Sequence, residues 1–125
     1  MKPDEVMALT DEQLRIKAAE LMGWARHNVL WIRPGEDVRM AASRAFAEDV
    51  RPPDYPNAIA AAWELFDRLV AVHREPTVEA MMLDGKRQYH LSVYDRKGSI
   101  NFGWDESAPR AITRAFILAM TQEDG

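Results

Sequence analysis

Cysteine is absent from this chain of 125 residues. That excludes a disulfide framework, a thiolate metal site and a cysteine nucleophile, and it fits a reducing compartment. Long apolar runs are missing as well, since no window approaches the roughly 18 residues that would cross a membrane. Charge of one sign never accumulates. Sixteen basic and twenty acidic residues give a net charge of −4 and are mixed along the chain. Without a basic face, direct nucleic-acid binding is not expected. Residues 1–13 carry no apolar core of the kind a secretion signal needs, so a cytoplasmic location is expected. Glycine is sparse and forms no phosphate-cradling loop, and no serine sits in a G-x-S-x-G elbow. The three histidines, His27, His73 and His90, share no metal-ligand spacing. No metal site, cofactor or catalytic residue is predicted.

What is present is strong local punctuation, and at this length it reads as one domain over residues 1–125. Thr10 with Gln13 makes a capping box, and Leu9 with Leu14 brackets it as a hydrophobic staple. Leu14, Ala18, Leu21 and Met22 recur at helical spacing, and Gly23 is placed to end the helix, which is predicted over 11–22. Trp24 to Arg33 reads as a short strand stopped by Pro34 and Gly35. Glu36 to Val50 reads as a surface excursion with about two helical turns. Pro52, Pro53 and Pro56 interrupt the chain before a second helix over 57–73. Its predicted core stripe is Ile59, Ala62, Trp63, Phe66, Leu69 and Val70, with Trp63 as the anchor and Ala60 and Ala61 pointing elsewhere.

The period then changes to two. Thr77 to Leu83, Tyr89 to Tyr94 and Ile100 to Trp104 alternate as strands, with a hairpin signal at Asp84-Gly85. Ser107 caps a last helix whose stripe is Ile112, Ala115, Phe116, Ala119 and Met120. The predicted class is α+β: an antiparallel sheet, made of a β-meander plus one N-terminal strand, with helices packed on its two faces as an α-β-α sandwich.

Four segments together resemble a known family: Met22-Gly23-Trp24, Asp54-Tyr55 leading into Ile59 to Glu64, the aromatic strand Tyr89 to Tyr94, and Ala108 to Ile112 with Arg114-Ala115 and Leu118-Ala119. In that order they resemble the phage "ABA sandwich" domain proteins, small phage and prophage proteins of unassigned function. The chain departs from the family pattern at Pro56 and in the excursion. The resemblance implies a sheet between helices and a phage or prophage origin, hence a bacterial host cell. It assigns no catalytic residues.

Candidate sites therefore come from residue chemistry. Trp31, Tyr55 and Trp104, with Arg26 and Arg33 nearby, could form a stacking pocket for a planar, nucleotide-like ligand. Ser107 and Arg110, at the start of the last helix, could meet an anion, although Pro109 removes one donor. The competing reading for each is structural: rings that fill space between sheet and helices, and an ordinary capped helix. Glu48-Asp49 and Asp105-Glu106 read as solvated charge rather than a catalytic pair. The expected function is binding, of a host protein or a nucleotide-like small molecule. Two alternatives stand beside it: a nucleotide-handling enzyme centred on His90, Asp105 and Arg110, and an assembly module acting through oligomers. A homodimer through the Ala60-Ala61 face or a sheet edge is a further expectation.

Overall fold

A computed structural model describes residues 1–45, 50–72, 74–95, 98–101 and 105–121. The described order is α1 (Pro3–Met7), α2 (Asp11–Leu21), β1 (Ala25–His27), β2 (Leu30–Ile32), α3 (Val38–Ala45), α4 (Ile59–Ala71), β3 (Glu75–Leu83), β4 (Lys86–Asp95), β5 (Gly98–Asn101) and α5 (Ala108–Met120). The α+β class is as read from the sequence, with helices packed against strands. The predicted residues Phe46, Glu48, Asp49, His73, Phe102 and Trp104 lie outside the described set.

The capping box at α2 forms as read. The Thr10 hydroxyl accepts the Gln13 N–H at 3.2 Å, and the Gln13 side chain accepts the Thr10 N–H at 2.9 Å. Gly23 takes φ +98°, so its own N–H reaches the Glu20 carbonyl and the Trp24 N–H reaches the Ala19 carbonyl. Both bonds satisfy carbonyls that the helix end leaves open. The short α1 was not anticipated. It carries Val6 into the core with no exposed surface, and Glu5 accepts the Lys2 N–H.

β3, β4 and β5 form the expected meander, and Asp84 and Gly85 both adopt positive φ in the hairpin turn. The N-terminal strand is a correction. Residues 25–32 fold back on themselves as a separate two-stranded hairpin and do not join the meander. Asn28, at φ +57°, makes the reversal, a backbone state that asparagine tolerates well.

α4 and α5 lie side by side against the sheet face bearing Leu91 and Val93, and α2 packs on α5. On β3 the opposite face, with Glu75, Thr77, Glu79 and Met81, is exposed. α5 is surrounded: Ile112, Ala115, Phe116, Ile117 and Ala119 are all at most 1% exposed. A second correction concerns α4. Its core face is Ala61, Ala62, Leu65 and Leu69, while Ile59, Trp63 and Val70 are 46%, 44% and 54% exposed. The helix is apolar over more of its circumference than one partner surface can cover. Periodicity alone could not tell the covered arc from the open one. Nor does the alanine run make an open small-residue face, because Ala61 and Ala62 point inward.

Candidate functional site

A cleft of about 300 Å³ opens where α2, the β1–β2 hairpin and the Arg51-Pro52 segment meet. α2 contributes Glu12, Arg15 and Ile16; the hairpin contributes Arg26, Val29 and Trp31. Among the described residues that line it, three guanidinium groups stand against one carboxylate, a formal charge of +2 in a chain of net charge −4.

Each wall has a local cause. Capping fixes the axis of α2, which presents Glu12 and Arg15 on its outer side. Arg15 Nε donates to the Pro52 carbonyl at 3.0 Å and so pins the loop to the helix. Its Nη1 atom lies 3.9 Å from Glu12. Arg26 and Trp31 are direct cross-strand partners in the hairpin. The Arg26 guanidinium carbon sits 5.1 Å from the Trp31 ring centroid, within cation–π range. Trp24 abuts Trp31 edge-on at 6.5 Å.

The hairpin is anchored from two sides. Arg44 of α3 donates Nη2–H to the Trp31 carbonyl at 3.1 Å and pairs with Glu36 through two further bonds, at 3.1 and 2.7 Å. That pairing holds the Glu36 carboxyl down at about 2. On the other side, Trp24 packs against the core cluster that contains Tyr55, where burial pushes the Tyr55 phenol up to about 12.

The sequence-predicted residues do not converge on one place. Trp31 lines the cleft. Arg33 is exposed one residue past β2, where its backbone N–H bonds Glu36 at 3.1 Å, and it does not line the cleft. Tyr55 is 1% exposed and belongs to the core, so its ring offers no face to a ligand. Trp104 lies outside the described residues.

Ser107 and Arg110 are at the start of α5, away from this cleft. The Ser107 hydroxyl caps the Arg110 N–H at 3.2 Å. The Arg110 side chain grips Asp11 through two bonds, at 3.0 and 3.1 Å, and lies 3.6 Å from Asp105, which also pairs with Arg114. The proposed anion position is thus filled by the protein's own carboxylates, and the guanidinium serves as a tie between α2 and α5. Of the centre suggested for an enzyme, Asp105 and Arg110 stay together and His90 lies apart. Asp105 pairs with arginines of α5, whereas His90 lies opposite Glu79 on the strand face away from Leu91. Arg15 and Arg51 were missed in the sequence, since single arginines on a helix flank and in a proline-rich turn carry no spacing signal.

Among the described residues, no group of three or more His, Asp or Glu side chains could hold a metal ion, and no helix is long and apolar enough to cross a membrane. No family model and no curated protein matches the chain. The fold is similar to that in a 2.0 Å crystal structure of a phage protein from Bacillus cereus ATCC 14579, with a TM-score of 0.54 and 22% identity, covering 96% of this chain and 87% of that one. At that identity the likeness establishes a shared fold.

Proposed function

We propose that the protein is a phage or prophage accessory protein, of the ABA sandwich type, that binds a small nucleotide-like anion in the arginine-lined cleft and does not transform it. The observation that carries this reading is the cleft itself: +2 in formal charge, inside an acidic chain, with an indole at its wall. Guanidinium groups suit phosphate oxygens, and an indole suits a base. Ile16 and Val29 supply apolar edges beside them. The phage likeness of the fold supports the origin, and the cytoplasm of an infected bacterium is where such a ligand is abundant.

The test is titration of purified protein with adenosine monophosphate, with inorganic phosphate in parallel, followed by tryptophan quenching and calorimetry. Saturable binding of the nucleotide, weakened about tenfold or more in Trp31→Ala and in Arg26→Ala, is the expected result. Absence of binding at millimolar nucleotide, together with a ligand-free mass after gentle purification, would overturn the small-molecule reading. Turnover of the nucleotide would overturn the non-catalytic part alone.

A further inference from the structure

The open arc of α4 is an ordered surface with its own symmetry. Ile59, Trp63 and Val70 are exposed and Phe66 is half-buried against the core; the four fall at i, i+4, i+7 and i+11, within roughly 60° of one another around the helix. Trp63 and Phe66 pack edge to face at 4.9 Å, so the centre of the stripe is already fixed in the single chain. β3 packs against α4, where Val78 meets the core, whereas Met82, on the same strand face, is 63% exposed.

We infer that this face of α4 is the contact between two copies of the chain, packed antiparallel about a two-fold axis. Two observations support a second copy. The first is spacing: four positions separate Ile59 from Trp63, and four separate Phe66 from Val70. The stripe reads the same in both directions, with β-branched residues outside and aromatic residues inside. Under a two-fold axis, Ile59 meets Val70 of the other copy and Trp63 meets Phe66, twice over. A two-fold contact of this kind sets an apolar residue against an apolar residue at every position of the stripe. The second is area. The exposed fractions of the stripe leave about 300–400 Å² of apolar surface per chain, a sizeable patch for a single-chain surface. A standard interface takes about 800 Å² from each partner, somewhat more than half of it apolar, so the stripe supplies most of the apolar part of one such interface.

The contact does not involve the cleft, so it stands or falls separately from the proposed ligand. Sedimentation equilibrium at 1–200 μM protein, a range chosen to span roughly the usual affinities of such contacts, should give a species of twice the 14.3 kDa chain mass. Trp63→Glu should weaken association by at least about thirtyfold, as for a central aromatic anchor. Its circular dichroism should be unchanged, because Trp63 is not part of the core cluster. The absence of cysteine makes register directly readable. An oxidised mixture of Ile59→Cys and Val70→Cys chains should cross-link as the mixed pair. A monomer throughout the range would overturn the inference and leave the stripe to another protein. A dimer that survives Trp63→Glu but is lost in Glu79→Lys, on the β3 edge, would overturn it in favour of strand pairing. Cross-linking of like with like would overturn the antiparallel arrangement.

Discussion

Leu65 and Trp63 are two positions apart on α4 and have opposite roles. Leu65 is fully buried in the cluster that joins α4 to α5 and β4, while Trp63 is 44% exposed against Phe66. Removing a buried leucine loses its transfer energy and leaves a cavity, so Leu65→Ala should cost about 2–5 kcal/mol. Trp63→Ala should cost about 1 kcal/mol or less within one chain, since nearly half of the residue stays exposed and it lies outside the core cluster. Urea unfolding at submicromolar protein, where association does not contribute, measures both. A Trp63 penalty matching that of Leu65 would return the indole to the core. The sequence ranks these residues the other way round because both lie on apolar arcs of the same helix. What separates them is the position of α5 and the sheet, which no local spacing encodes.

Elements were legible where their ends carry chemistry. Thr10 with Gln13, Asp84-Gly85 and Ser107 each satisfy or reverse the backbone locally, and each is found as read. The β1–β2 hairpin was not legible, because its one signal is a single Asn28 between residues that also suit a continuous strand. The cleft was legible at Arg26 and Trp31, neighbours in one hairpin, but not at Arg15 and Arg51, which tertiary packing brings to it. α3 shows what such packing does for a site: through Arg44 it holds both Glu36 and the backbone of Trp31. Glu36 titrates at about 2 when folded against an ordinary 4.5. Its depressed pKa therefore contributes stability that is fully present above pH 4.5 and is lost as pH falls through about 2. Arg44→Ala should return the Glu36 titration toward 4.5 in carboxyl NMR and broaden the Trp31 indole resonance as the hairpin loosens. A Glu36 titration that stays near 2 in that variant would show that another group sets it.

At the scale of the whole molecule, α5 is the axle and charge is distributed unevenly around it. At its start, Arg110 ties Asp11 across 99 positions of sequence and holds that carboxyl below its ordinary value. This closes the helical layer without leaving charge for a ligand. On the hairpin side the balance is reversed, with a cationic cleft on an anionic protein. An anion in that cleft is held by two forces that respond differently to salt. Coulomb attraction to the guanidinium groups is screened as the Debye length falls from about 10 Å at 0.1 M to about 3 Å at 1 M, whereas stacking on Trp31 is not. Adenosine monophosphate binding should therefore weaken by about three- to tenfold over that range. Trp31→Ala should lower affinity at every salt concentration by a constant factor and keep the slope. Arg51→Ala should lower affinity mainly at low salt and flatten the slope. Calorimetric titrations of the three proteins at four salt concentrations read both quantities. Parallel lines for the parent chain and Arg51→Ala would remove that guanidinium from the site, and a flat line for the parent chain would remove phosphate recognition altogether.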